Sequence, residues 1–223
     1  MSGFNLKEVA NMKTFASIGA AVLALGLIST GAEAASIIAN GSFETGTDPS
    51  PYATYGAGAF NGWTIDAGTI DYIGDYWQAS DGVRSVDLAG NSPGTLSQTF
   101  ATSIGTKYFV SFDLAGNPDN ADKIKEIYSQ VVSGGLTTFT ASFDATGKSH
   151  ADMGWTTFVY SFVASATQST LSFQSLDQEC CWGPALDNVS VSAVPLPAAL
   201  PLFGAGLAAF GVFARRRRTR TAV

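Results

Sequence analysis

Hydrophobic and polar residues alternate along much of the chain between residues 36 and 193. The segment from Tyr108 to Leu114 is typical, because aromatic and aliphatic side chains occupy every second position. The same period of two recurs at 158–162, 171–173 and 189–191. This period places one face of a β-strand in the core and the other in solvent. Further segments rich in Val, Ile, Thr and aromatic residues predict strands at 36–39, 62–66, 69–73, 84–89, 95–101, 123–132 and 136–144.

About ten short strands without a convincing helix favour an all-β fold in which two sheets form a sandwich. One segment is ambiguous. Ile124, Ile127 and Tyr128 share a face in a helix as well as fitting a strand, so a short helix is the alternative there. The stretch 35–193 is long enough to bury a core and has the size of one domain.

The N-terminal segment predicts a signal peptide over residues 1–34. An uncharged run from Phe15 to Ile28 follows Lys13, and the small residues Ala32 and Ala34 fit a cleavage site. We expect cleavage after Ala34, with the next residue as the alternative. An uncleaved N-terminal anchor is the other interpretation.

The C-terminal segment, residues 194–223, predicts a single transmembrane helix. The run from Val194 to Ala214 carries no charge, and a helix of that length spans the hydrocarbon core of about 30 Å. Four arginines, Arg215–Arg218, follow it and should remain cytoplasmic. The body would then be exported.

This tail resembles the PEP-CTERM class of bacterial sorting signals, in which a proline motif precedes one span and an arginine cluster. The motif here is the VPLPA variant, formed by Val194, Pro195, Leu196, Pro197 and Ala198. The resemblance implies an exosortase as processing partner. It also implies transient inner-membrane anchoring, followed by a cell-surface or extracellular-matrix location. A plain C-terminal membrane anchor is the alternative.

The predicted body is strongly acidic. Of the 12 Lys and Arg residues in the chain, only Arg84, Lys107, Lys123, Lys125 and Lys148 lie in the body, whereas most of the 18 acidic residues do. Such a surface repels nucleic acids and other polyanions. Neutral glycans and divalent cations are better suited to it.

Several motifs of the body occur in a recognisable order. They are Asn40–Glu44, Gly62–Ile65, Ile70–Ala79, Gly82–Leu88, Phe112–Pro118, Met153–Trp155 and Gly183–Ser190. Together they resemble the choice-of-anchor C family. This resemblance implies a jelly-roll, galactose-binding-like β-sandwich.

The same resemblance implies a structural Ca²⁺ where the first and last strands meet. Glu44 and Asp187 match the positions that supply carboxylates, and Asp81 is the candidate third ligand. Calcium requires six to eight oxygen ligands, so loop carbonyls would complete the site. The alternative is that these are unrelated surface acids.

Aromatic residues near polar ones indicate carbohydrate binding, because sugar rings stack on exposed aromatic faces. The candidates are Tyr76, Trp77, Gln78 and Trp182, whereas Trp63 is expected in the core. The predicted ligand is an exopolysaccharide or an envelope glycan. A structural or adhesion protein that binds other proteins is the alternative.

Catalysis has little support in the sequence. The only histidine is His150, so a Ser-His-Asp triad would depend wholly on it, and no phosphate-binding loop is present. We therefore expect a non-enzymatic protein. A glycoside hydrolase that uses two carboxylates is a less favoured alternative.

Cys180 and Cys181 are adjacent. Export would permit oxidation, and we expect a vicinal disulfide that stiffens the turn before Trp182. Adjacent Cα atoms lie about 3.8 Å apart, so such a ring would be strained. Two buried thiols or a crosslink between chains are the alternatives.

Overall fold

The computed structural model describes residues 35–120, 122–178 and 180–194. The predicted signal peptide, the proline motif after Val194, the C-terminal span and the arginine cluster lie outside these residues. Within the described ranges, no helix is long and apolar enough to cross a membrane.

Ten β-strands form the described body, and no helix interrupts them within the described residues. The strands are β1 (Tyr52–Phe60), β2 (Trp63–Ile73), β3 (Ser85–Asp87), β4 (Thr95–Ala101), β5 (Lys107–Gly116), β6 (Ile124–Val132), β7 (Leu136–Asp144), β8 (Thr156–Val163), β9 (Gln168–Ser175) and β10 (Pro184–Ala193). The all-β prediction is confirmed.

All strand pairs are antiparallel, in the order β7-β6-β9-β4-β2-β3-β10-β5-β8, with β1 paired to β2. The first part of β2 pairs with β4 and its last part with β3, and a register shift lies between Ile65 and Ala67. The sheet thereby folds over on itself. Phe139 of β7 stacks on Tyr160 of β8 with ring centroids 5.0 Å apart, which brings the two ends of the sheet together. The result is a nearly closed β-sandwich.

The core lies between the two halves of this sheet. The inward residues of β5 are buried as the alternation predicts, and Phe112 stacks on Phe158 and meets Phe173 edge to face. Trp63 is also buried, as expected, and its indole N–H donates to the Asn40 carbonyl at 3.0 Å.

The predicted strand at 123–132 is confirmed, the predicted strand at 36–39 is absent, and one strand was missed. The segment 123–132 is a strand, so the helical alternative at 123–128 is wrong. Residues 36–39 form no strand, although the Ile37 N–H still donates to the Val191 carbonyl at 2.8 Å. The strand β1 was not predicted, because it pairs only with β2 and most of its side chains are small or exposed.

Candidate functional site

Polar side chains line the outer face of the half-sheet that contains β1, β2, β3, β10 and β5. The strand register places Thr54 opposite Asp71, and Asp71 opposite Asp87. One row further along, Asp113 lies opposite Asp187. Because alternate residues of a strand share a face, these side chains point away from the core. Four acidic residues are thus brought to one surface.

The turn 80–84 covers one end of this surface and is held by two carboxylates. The Asp187 Oδ2 atom accepts hydrogen bonds from the backbone N–H groups of Ser80 and Asp81, at 2.8 and 2.9 Å. The Glu44 Oε1 atom accepts from the N–H groups of Val83 and Arg84, both at 2.8 Å. The two residues predicted as calcium ligands therefore meet at one turn.

Gly82 lies between these two contacts with a φ of +68°. A Cβ atom at this position would lie 2.4 Å from the Glu44 carboxyl group. Both the left-handed backbone and the close approach of Glu44 require glycine here.

Asp187 is fully buried, and burial raises its pKa to about 7 although three backbone N–H groups favour the ionised form. Its neighbour Asp113 is also buried. Asp113 accepts hydrogen bonds from the Ser80 hydroxyl at 2.6 Å, the Thr157 hydroxyl at 2.5 Å and the Asn188 amide at 3.0 Å. These neutral donors satisfy a carboxylate that has no cationic partner in the described part of the chain.

The donor set expected for calcium does not converge in this arrangement. Glu44 and Asp187 direct oxygen atoms to backbone N–H groups, and Asp81 contributes its own N–H while its side chain is exposed. Among the described residues, no group of three or more His, Cys, Asp or Glu side chains is placed to hold a metal ion. The three residues are brought together as the support of a turn.

A cavity of about 220 Å³ opens on the same surface, beside Asp71 and Asp87. Its lining combines aromatic, carboxylate and amide side chains. The lining residues are Tyr52, Thr54, Asp71, Ile73, Tyr76, Trp77, Asp87, Asn91, Asn117, Cys181 and Trp182.

Asp87 is the most enclosed polar residue of the cavity. It accepts hydrogen bonds from the N–H groups of Ala89 and Gly183 and from the Asn117 side-chain amide, each at 2.9 Å. Burial raises the pKa of Asp87 to about 7, against the effect of these donors. Gly183 approaches closely, since a Cβ atom there would lie 2.5 Å from Asp87 Oδ1.

Asp71 has fewer hydrogen-bond partners than Asp87. Its Oδ1 atom accepts a hydrogen bond from the Thr54 hydroxyl at 2.5 Å, the only side-chain partner of Asp71 among the described residues. Burial raises the pKa of Asp71, and the Thr54 hydrogen bond opposes that shift. Asn91 is exposed, and its amide has no intramolecular partner in the described ranges. Asp71 and Asn91 therefore retain capacity to bind a ligand.

Aromatic rings form the walls of the cavity. Trp182 is 38% exposed and Tyr52 is 46% exposed. Tyr52 also meets Tyr76 edge to face, with centroids 5.2 Å apart. Tyr76 and Trp182, both predicted as binding residues, therefore lie at one cavity although they are distant in sequence.

Trp77 and Gln78 differ from the prediction. Trp77 is only 5% exposed, and its indole N–H donates to the buried Ser85 hydroxyl at 2.8 Å, so it is a core residue without a free stacking face. Gln78 does not line this cavity. Its backbone N–H donates to the His150 carbonyl at 2.8 Å, and its carbonyl accepts from the Trp155 indole at 2.9 Å.

Tyr76 is fixed by a network that joins three loops. The Tyr76 hydroxyl donates to Asp119 Oδ2 at 2.7 Å, and His150 Nε2 lies 2.9 and 3.0 Å from the two Asp119 oxygens. The Tyr76 and His150 rings are in contact, with centroids 4.4 Å apart. The Asp119 carboxylate raises the pKa of Tyr76 to about 12, chiefly through the hydrogen bond. His150 thus has a structural partner, and it also lines a wider groove of about 890 Å³ that Tyr76, Gln78 and Arg84 share.

Cys180 and Cys181 are free cysteines in the structure, with Sγ atoms 2.6 Å apart. The Cys180 thiol, as hydrogen-bond partner, raises the pKa of Cys181 to about 11. The vicinal disulfide stays a prediction. Cys181 has a φ of +81°, and its N–H donates to the Ala89 carbonyl at 3.0 Å, which holds the turn that carries Trp182.

Sequence reasoning missed Tyr52, Asp71 and Asp87 as site residues. Tyr52 belongs to β1, which was not predicted. Asp71 and Asp87 belong to predicted strands, in which the alternation assigns polar residues to the solvent-facing side. The available signal was that Asp71 lies between Ile70 and Tyr72, and Asp87 between Val86 and Leu88, but only the register of β2 against β3 makes the two acids neighbours.

Comparison with known proteins gives relatives by sequence and by structure. The chain is 29% identical over 183 residues to Halomucin of Haloquadratum walsbyi, which covers 78% of this chain and only 2% of Halomucin. TmCBM61, solved in complex with β-1,4-galactotriose, aligns with a TM-score of 0.46 and 15% identity over 71% of this chain and 99% of its own. The CBM22-1 xylan-binding domain of Paenibacillus barcinonensis Xyn10C aligns with a TM-score of 0.46 and 14% identity, over 74% and 99% of the two chains. A family model matches residues 36–192, which is nearly the whole described body. The chain therefore belongs to the family described as protein of unknown function, DUF642.

Proposed function

We propose that this protein is a non-enzymatic carbohydrate-binding protein whose ligand enters the cavity between β1, β3 and the turn 180–183. The observation that carries the proposal is the composition of that cavity. Two partly exposed aromatic rings, Tyr52 and Trp182, face the same space as the carboxylate of Asp71 and the amides of Asn91 and Asn117.

Sugars present two kinds of surface, and the cavity offers a partner for each. The apolar face of a pyranose ring stacks on an aromatic side chain, while its hydroxyl groups need donors and acceptors in fixed positions. A space of about 220 Å³ corresponds to roughly seven waters at about 30 Å³ each. It is smaller than the roughly 300–1,000 Å³ typical of drug-sized ligands, which favours one sugar unit held at the site.

The two chain ends support a cellular location for the proposed binding. The signal-like N-terminus and the VPLPA tail support export, exosortase processing and an exopolysaccharide or envelope glycan as partner. The mass of the native protein tests this setting. Removal of residues 1–34 and of the Arg215–Arg218 cluster is expected, and retention of that cluster would leave a plain membrane anchor.

A glycan array followed by titration calorimetry tests the binding proposal. We expect a matrix glycan to bind with a dissociation constant of about 10–100 µM, because a small polar site buries little area. Trp182→Ala should weaken binding about tenfold, since stacking contributes about 0.5–1.5 kcal/mol and the buried apolar area of the ring is lost as well.

Phe109→Ala is the matched control, because Phe109 is an aromatic residue of similar exposure, 40%, that lines neither cavity. It should leave the affinity unchanged. If both variants bind like the parent, the cavity is not the site. If no glycan binds and a surface protein does, the adhesion function replaces this proposal.

A further inference from the structure

Acidic side chains line the cavity, and basic ones do not. Its lining contains Asp71 and Asp87 but no Lys, Arg or His. The ion pairs within the described residues, Lys125 with Asp177 and His150 with Asp119, lie elsewhere. No side chain of the described part of the chain therefore compensates these two carboxyl groups.

The two carboxyl groups are also close neighbours, because Asp71 and Asp87 are register partners on β2 and β3. Like charges directly opposite each other on a sheet are destabilising. The groups that bind them are all neutral: the Thr54 hydroxyl, the Asn117 amide and the N–H groups of Ala89 and Gly183. Asp87 is partly protonated near pH 7 because burial raises its pKa to about 7, so the negative charge beside the open cavity lies chiefly on Asp71.

The aromatic side chains of the cavity also favour a positively charged ligand. The faces of Tyr and Trp rings carry partial negative charge and attract cations within about 6 Å of the ring centre. Tyr52 and Trp182 retain exposed ring surface at this cavity. Carboxylates and aromatic faces around one space are the combination that recognises organic ammonium groups.

We infer that the cavity selects an amino sugar, a unit of the matrix glycan whose free amine is protonated. This inference rests on the proposed function and names its ligand class. The ammonium group satisfies the Asp71 carboxylate, and the amide of Asn91 is available to the hydroxyl groups of the sugar. N-acetylation removes the positive charge, and uronic acids add a negative one beside two carboxyl groups.

A metal ion fits the cavity less well than an ammonium group. Hard cations take oxygen ligands in a tight shell, whereas a large part of this lining is aromatic. The described residues also provide no set of three metal-binding side chains at any position.

Titration calorimetry of the full chain at about pH 7, where an amine of this type keeps most of its proton, tests the inference. The probes are methyl glycosides of glucosamine, N-acetylglucosamine, glucose and glucuronic acid, the corresponding galactose series, and calcium chloride alone. We expect one amino sugar to bind about tenfold or more tighter than its neutral parent, because charge-assisted hydrogen bonds are roughly twice as strong as neutral ones. The uronic acid should bind weakest.

Asp71→Asn removes the charge at nearly constant size and should abolish the preference for the amine. Asp66→Asn is the matched control, because Asp66 is an exposed acid on the same strand outside the cavity. Should Asp71→Asn fail to fold, judged by circular dichroism, the salt dependence of the parent replaces it. The affinity for the amine should then fall between about 0.05 and 0.5 M NaCl while neutral-sugar affinity stays constant.

Three results would overturn the inference. Equal binding of neutral and amino sugars would remove the charge selection and leave the proposed function intact. Binding of calcium without binding of amines would assign the carboxylates to a metal. Absence of binding in both sugar series would remove the inference, and the proposed function would then be decided by the glycan array.

Discussion

Glu44 and Asp187 accept backbone hydrogen bonds from opposite ends of the same turn. Asp187 binds the N–H groups of Ser80 and Asp81, and Glu44 binds those of Val83 and Arg84. Glu44 precedes β1 and Asp187 lies in β10, so the turn is fixed to both ends of the described body. The turn is also the last part of the loop between β2 and β3, which contains Tyr76 of the candidate site.

Glu44→Gln and Asp187→Asn should each lower the free energy of unfolding by about 1–3 kcal/mol, because weakened acceptors leave N–H groups incompletely satisfied. Urea denaturation in EDTA measures the loss. Asp66→Asn, an exposed acid outside this network, should change stability by less than about 0.5 kcal/mol.

The same variants test the predicted calcium ion. A resident ion requires that EDTA lower the Tm of the parent, that calcium restore it, and that both variants lose the response. If Glu44 and Asp187 instead act as hydrogen-bond acceptors for the turn 80–84, both variants should lose stability in EDTA as well. Parent-like stability of both variants in EDTA would contradict that role.

Stability should fall as the pH rises from about 4 to about 7. Burial raises the pKa of Asp87 and of Asp187 to about 7 in the folded protein, against about 3.9 when unfolded. The folded state therefore binds more protons in this window. Each group then lowers the free energy of unfolding by up to about 1.4 kcal/mol per pH unit.

Urea titrations at several pH values across this window measure the slope. Asp187→Asn should flatten it, and Asp66→Asn should keep it. A stability that rises over the window would show that the two carboxylates are held ionised in the folded protein.

Asp119→Asn should weaken carbohydrate binding about two- to tenfold, because Tyr76 loses a charge-assisted hydrogen bond that fixes its ring, worth about 0.5–1.5 kcal/mol. Calorimetry with the glycan bound by the parent gives the ratio. The control is Asp152→Asn, a change at an exposed acid near His150 that lines neither cavity. An unchanged affinity in Asp119→Asn would show that the network does not position Tyr76 for binding.

Protein secreted under oxidising conditions should carry the Cys180–Cys181 bond and weigh less than its reduced form by two hydrogen atoms. Intact mass with and without reductant, followed by thiol alkylation, distinguishes the possibilities. Two alkylated cysteines before reduction would indicate free thiols, and a mass of two chains would indicate an intermolecular crosslink.

Most strands are predictable from the sequence, because the period of two is local and does not depend on which strands pair. The predicted ranges 95–101 and 136–144 coincide with β4 and β7, and Trp63 is buried as its pattern required. The strand β1 was not predicted, because an edge strand of small and exposed residues has no buried face and so shows no alternation.

The residues that form the site are selected by the folding of distant segments onto one another. Tyr76 and Trp77 are adjacent and both line the cavity, yet Trp77 is buried with its indole bonded to Ser85, whereas the Tyr76 hydroxyl donates to Asp119. Asp71 and Asp87 became neighbours through the register of β2 against β3, and Trp182 joined them through the turn before β10. Alternation specifies the face of each side chain, whereas register and loop packing depend on contacts between distant segments, and these bring the carboxylates and the aromatic rings to one cavity.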